Sequence, residues 1–187
     1  MINNLLMHKY KSIFYFIDEF DKKELLKLSK DICLIYRNYT KKDIRKDIIN
    51  LVDFCKKTRN KLFISNNLRL AMKYNLDGLY IPSFNKSLCY KNKAYRKNFE
   101  LIGSAHNTRE IKNKTQQGCT KIFLSPLFKH KNGNNKLDIV KFNLLINNCK
   151  NDFIALGGIN EKNYKKVKLS KSKGFAAIEW IKKTGLN

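Results

Sequence analysis

FIALGGIN, residues 153–160, decides the reading of the fold. Phe153-Ile154-Ala155-Leu156 does not alternate with polar residues, so it reads as a strand buried on both faces, the mark of a parallel sheet under helices. The chain has only eight glycines, and two of them, Gly157 and Gly158, follow this strand directly. Asn160 then has the character of an N-cap, and Glu161–Lys168 of the helix behind it. A strand, a glycine pair and a helix start form a turn in which backbone N–H groups can approach a phosphate. A tight strand-to-helix turn with no ligand would carry the same residues.

Working outward, the same alternation recurs along the chain. Strands are expected at Ile13–Ile17, Ile32–Tyr36, Leu62–Ser65, Gly78–Ile81, Leu101–Ala105, Ile122–Ser125, Phe153–Leu156 and Phe175–Glu179. Between them lie helical patterns. Asp21–Lys30 is short. Thr40 with Asp43 resembles a capping box ahead of Ile44, Ile48, Leu51, Val52 and Cys55, which share one face. Leu68–Tyr74 and Asp138–Cys149 also read as helices. Asn107 with Glu110 suits another helix start, and Gly118 its end. Residues 85–98 are polar and poorly periodic, a loop with room for a short helix, and the Gly/Asn-rich stretch 129–136 reads as a mobile loop. Eight strands alternating with helices in one chain predict a parallel α/β fold, and a closed (β/α)8 barrel of the TIM type suits the count better than an open sheet. Such barrels carry their chemistry at the carboxyl ends of the strands, with phosphate held after strands seven and eight. The double glycine falls after strand seven.

Composition narrows the rest. The 187 residues suit a single domain over 1–187, with no linker-like stretch. No run of 18 apolar residues occurs, and the apolar stretch 13–17 is too short for a signal sequence and runs into Asp18, Glu19 and Asp21, so a cytoplasmic protein with no membrane partner is expected. The five cysteines include no CxxC pair and read as small apolar residues in a reducing compartment. A net charge of +24 invites a nucleic-acid reading, but only six of the 39 basic residues are arginine, and the lysines are scattered through helices and loops. A lysine-coated enzyme-like domain that attracts small anionic substrates is favoured over a dedicated nucleic-acid binder. The sequence does not set an oligomeric state.

LIGSAHNTREI (101–111), KIFLSPLF (121–128), FIALGGINEKN (153–163) and GFAAIEWI (174–181), in this order, resemble the thiamine-phosphate synthase/TenI family. LIYRNY (34–39) and LFISNNLRLAMKYNLDGLYI (62–81) are similar to its second to fourth strands. The resemblance spans about Ile13 to Ile181. It implies a (β/α)8 barrel of thiamine biosynthesis, in which Mg2+ helps a hydroxymethylpyrimidine diphosphate lose diphosphate and a thiazole phosphate nitrogen attacks the resulting cation. Residue by residue it implies that Arg37 and Ser104 face the diphosphate and that Ser65, Asn66, Ser125, Gly157 and Gly158 line the substrate and phosphate site. His106 falls where TenI-type thiazole tautomerases carry an acid/base histidine, a role that an imidazole suits at neutral pH. His106 could equally be a structural residue at the next helix start, and Arg37, Ser65, Asn66 and Ser104 simple strand-end partners or caps.

The departures are as specific. Ile35 replaces a glutamine and Tyr39 a lysine. Asn66 and Asn85 stand where the family has the two acids of its Mg2+ site. Lys129-His130-Lys131-Asn132 replaces a threonine-rich phosphate loop, and Glu179 a small residue beside the thiazole phosphate. Three functions follow: a synthase-type transferase with a remodelled anion site, a tautomerase using His106, or a barrel that only binds a phosphorylated ligand. No metal ligand is assigned.

Overall fold

The computed structural model describes residues 12–91, 93–129 and 136–186. His8, His130 and most of the basic loop 129–132 lie outside the described residues. Eight parallel strands close into a barrel in chain order: β1 (Ser12–Ile17), β2 (Ile32–Tyr36), β3 (Leu62–Ser65), β4 (Gly78–Ile81), β5 (Glu100–Ala105), β6 (Lys121–Leu124), β7 (Asp152–Leu156) and β8 (Gly174–Ala176). The helices are α1 (Lys22–Leu25), α2 (Arg45–Thr58), α3 (Leu68–Lys73), α4 (Thr108–Gln116), α5 (Asp138–Ile146), α6 (Tyr164–Val167) and α7 (Glu179–Thr184). Among the described residues the β4–β5 crossover has no helix.

The strands read as unbroken apolar runs because both of their faces are buried. Phe14, Phe16, Ile35, Phe63, Tyr80, Ile102, Phe123, Ile154 and Ala176 fill the barrel interior. Their neighbours in sequence, such as Ile13, Tyr15, Leu34, Leu62, Leu79 and Ile122, point outward into the layer under the helices. Edge-to-face rings fix the interior: Phe14 to Phe123 at 4.8 Å and Phe16 to Tyr80 at 5.2 Å. Ile35, where the family resemblance puts a glutamine, is one of these apolar fillers, with no exposure.

The Asn107–Glu110 capping box forms as the sequence predicts. Asn107 Oδ1 accepts from Glu110 N at 2.9 Å, and Glu110 Oε2 accepts from His106 N at 2.8 Å. Gly118 follows the helix in a left-handed conformation. Three local expectations need correction. Asn160 is not a helix N-cap: its Oδ1 accepts from Lys162 N and its own N–H donates to Asn163 Oδ1, so residues 160–163 make a turn and α6 starts only at Tyr164. Thr40 donates to Asn38 Oδ1 instead of capping α2, whose N-cap position is Ile44. β8 stops at Ala176, and Glu179 is the first residue of α7.

Candidate active site at the carboxyl ends of the strands

Register places the sequence-predicted residues at one rim. Tyr36 pairs with Ile17 and Ile64, Ser65 with Tyr80, Ser104 with Phe123, Leu124 with Ala155 and Leu156 with Ala176. Arg37, Ser65, Ser104, Ser125 and Gly157 therefore lie at or just beyond the carboxyl ends of β2, β3, β5, β6 and β7. The half-buried Arg37 is tied by its N–H to Ile17 O (2.7 Å), and its guanidinium lies 4.7 Å over the Phe16 ring. Tyr39, where the resemblance puts a lysine, reaches across so that its hydroxyl lies 2.8 Å from Ser65 Oγ. Its ring meets Phe84 edge-on at 5.6 Å. Below them Tyr80, absent from the sequence-based list, carries the polar head of the barrel interior. Burial pushes its phenol up to about 12, while Ser104 and Arg37 pull the other way.

Asn66 and Asn85 meet directly. Asn66, in a left-handed conformation (φ 57°), donates its N–H to Tyr80 O, and its Oδ1 accepts from Asn85 Nδ2. The same Nδ2 donates to Tyr90 Oη at 2.8 Å, and Asn85 Oδ1 accepts from Ser87 N at 2.9 Å. Underneath, fully buried Lys114 donates to Pro82 O (2.7 Å), Asn85 O (2.8 Å) and Gln117 Oε1 (2.9 Å). Gln117 Nε2 adds bonds to Asn85 O and Ser87 O. Burial lowers the Lys114 ammonium to about 8. Sequence reasoning missed this clamp, although Lys114 stands one turn after the buried Ile111 on the same face of α4. These residues do not fit Mg2+: they offer neutral amides, one already accepting from the other, where that ion favours anionic oxygen. Among the described residues no cluster of three His, Cys, Asp or Glu is placed to hold a metal.

His106 is exposed just past β5, with Nδ1 2.9 Å from Ser125 O and 3.1 Å from Ser125 Oγ. A carbonyl oxygen only accepts, so the neutral imidazole carries its proton on Nδ1 and a lone pair on Nε2. The Ser125–Pro126 peptide is cis.

The Gly157–Gly158 turn lines a cleft of about 1000 Å3 with Lys129, Asn160, Lys162, Glu179 and Lys183. Gly158 has φ 67°, and a Cβ there would come within 2.6 Å of Phe128 O. Arg37 does not line this cleft. It opens on a smaller pocket of about 170 Å3 with Asp18, Glu19, Asp21, Glu24 and Lys182, and the two share Ile178. The predicted residues thus share a rim but divide between a β7–β8 side where three lysines stand beside Glu161 and Glu179, an acid-flanked β1–β2 side and a neutral β3–β4 side. No helix among the described residues is long and apolar enough to cross a membrane.

Residues 21–181 match the family model described as thiamine monophosphate synthase. A thiamine-phosphate synthase of Prochlorococcus marinus (strain SARG) is 31% identical over 134 residues, covering 70% of this chain and 38% of that protein. Another, from strain AS9601 of the same species, is 26% identical over 152 residues, covering 78% and 41%. The chain thus spans about two fifths of the length of these curated relatives. A thiamine phosphate pyrophosphorylase structure from Pyrococcus furiosus superposes with TM-score 0.75 at 14% identity, covering 96% of this chain and 94% of that one. The Bacteroides thetaiotaomicron structure of that name gives 0.61 at 19% identity, covering 90% and 82%. At these identities the structural likeness speaks for the barrel fold.

Proposed function

The chain belongs to the thiamine monophosphate synthase family, and from that premise we propose that it acts on the phosphorylated halves of thiamine, joining a hydroxymethylpyrimidine diphosphate to a thiazole phosphate. The observation that carries this reading is the shared rim: Arg37, Ser65, Ser104, Ser125 and Gly157 at the strand ends, with a lysine-lined cleft at Gly157–Gly158. In this reading the glycine turn and Lys129, Lys162 and Lys183 hold the thiazole phosphate. Arg37, braced on Phe16, and Ser104 face the diphosphate that departs. The bond from the pyrimidine methylene carbon to the diphosphate oxygen breaks, its electron pair leaving with the diphosphate, and the thiazole nitrogen then forms its bond to the resulting cation. The residues of the mouth orient the two rings and exclude water from the cation between them. The ligands are small anionic molecules of the cytoplasm. Incubating purified protein with both precursors, with and without Mg2+, should yield thiamine phosphate. Its absence under every condition sinks the transferase reading.

A second reading rests on one observation, the open Nε2 of His106. A TenI-like thiazole tautomerase needs one group that removes and returns a proton, and a histidine anchored through Nδ1 is built to do so. Conversion of a thiazole tautomer without any pyrimidine substrate would favour it. Protection of the protein by phosphate ligands with no conversion of any precursor would leave a barrel that only binds.

A further inference from the structure

We propose that the barrel mouth takes its phosphorylated ligand without a divalent cation, the Asn66–Asn85 amide bridge fastening the end of β3 to the β4 loop in place of an ion. This rests on the phosphorylated-ligand reading above and concerns how the charge of that ligand is met.

Four features lead there. The Asn85 amide has one orientation, because its Oδ1 accepts the Ser87 N–H, and its NH2 therefore points at Asn66 Oδ1 and Tyr90 Oη. Any cation between the two amides would face those N–H hydrogens, which repel it. The bridge is also held on both sides. Asn66 is pinned through its N–H to Tyr80 O, and the Asn85 loop is clamped from below by Lys114 and Gln117. Rotating the Asn85 amide to free its oxygen breaks three hydrogen bonds, to Asn66 Oδ1, to Tyr90 Oη and from Ser87 N, and the half-buried Asn85 then leaves polar groups unpaired, which is costly. The adjoining Tyr39–Ser65 contact is also neutral, so beyond Arg37 at the end of β2 the β3–β4 side offers hydrogen-bonding capacity and no charge. Finally, ammonium groups stand across the mouth, where Lys129, Lys162 and Lys183 line the glycine cleft and outnumber its two acids, Glu161 and Glu179. Protein ammonium groups there meet the negative charge that a divalent cation would otherwise neutralise.

The test uses inorganic pyrophosphate as ligand and Mn2+ as the metal probe, with melting curves and electron paramagnetic resonance of free Mn2+. Saturating pyrophosphate should raise the wild-type melting temperature by the same amount in EDTA as in Mg2+, and the wild type should take up no stoichiometric Mn2+. The double variant Asn66→Asp/Asn85→Asp sets two carboxylates face to face. It should melt several degrees lower in EDTA, recover in Mg2+ and bind Mn2+. If that variant does not fold, Asn85→Asp alone, which removes the N–H hydrogens facing Asn66 Oδ1 and keeps an acceptor for Ser87 N, should still acquire Mn2+ binding. The proposal is overturned if pyrophosphate stabilises the wild type only with Mg2+, or in neither condition, or if the wild type binds Mn2+ stoichiometrically. It is also overturned if the aspartate variants gain no response to metal. The transferase reading fails separately, on the absence of thiamine phosphate, so thiamine phosphate formed only with Mg2+ would keep that reading and discard this one.

Discussion

The imidazole of the exposed His106 has Nδ1 bound to Ser125 and Nε2 at its other edge, and the two ends predict different things. On the proton-transfer reading, His106→Asn keeps phosphate-ligand binding while thiazole turnover falls roughly 10²–10⁴-fold. If the Ser125 contact is all that matters, the same variant lowers the melting temperature and leaves turnover near wild type. Calorimetry beside product detection separates the cases. Lys114 offers a test by pH. Its folded-state value of about 8 lies below the ordinary 10.5, so between these limits the unfolded chain binds more protons than the folded one. This group's contribution to stability therefore rises from about pH 8 towards 10.5. Lys114→Met should remove that rise when urea midpoints are compared across the range. At neutral pH it should also cost about 1–3 kcal/mol, because Pro82 O loses a buried donor. At this scale the sequence showed letters better than neighbours. Ser104, His106, Ser125 and Gly157 stood out in short motifs, but a contact between Asn66 and Asn85 across 19 positions has no local signature. Tyr80 and Lys114 were hidden for a related reason: each looks like a routine strand or helix residue until the barrel turns it inward.

Elements fail or hold at their joints. Gly158 turns the chain from β7 towards α6, and a side chain there meets Phe128 O at 2.6 Å in a backbone conformation that L-residues avoid. Gly158→Ala should cost about 1–2 kcal/mol and, by pushing residues 128–129 out of the cleft, abolish stabilisation by phosphate in a thermal shift. Stabilisation equal to wild type would clear this turn of any part in anion binding. At the opposite end of the barrel Glu100 joins three strand starts, accepting from Lys61 at 2.9 Å and from Lys121. Burial works against its charged form, yet hydrogen bonds from Lys121 and then Lys61 hold its carboxyl below the usual glutamate range. A depressed carboxylate stabilises the fold above its ordinary value and loses that contribution as pH falls through the folded one. Glu100→Gln should therefore cost about 1 kcal/mol near neutrality and almost nothing in acid, as read from urea midpoints. The strands were legible because a residue run buried on both faces has no other home. β2, β3 and β4 fall where the sequence places them. The helices were less so. α1 and α6 span four residues each, too few for a 3.6-residue period to mark their ends, and side-chain turns at Asp21 and Asn160 set those boundaries instead.

Across the whole molecule, 39 basic residues against 15 acidic ones leave a net +24 to be held within one small barrel. Self-repulsion of that size is screened by salt, so moderate NaCl should raise the melting temperature of the ligand-free protein and weaken its hold on pyrophosphate. A melting temperature that falls with salt would mean that ion pairs such as Glu100–Lys61 outweigh the repulsion. The closing seam of the barrel joins Ser12 to Gly174 and Phe14 to Ala176, and it is tight: a Cβ on Gly174 would lie 2.0 Å from Ser12 O. The seam carries a consequence for how the protein is born. Of the eight barrel strands β1 leaves the ribosome before all others and β8 after them, so at roughly 5–20 residues per second β1 keeps an unpaired edge for on the order of ten seconds or more. A nascent chain stalled before Gly174 presents two such edges, on β1 and β7, each a template for strand pairing with a neighbouring chain.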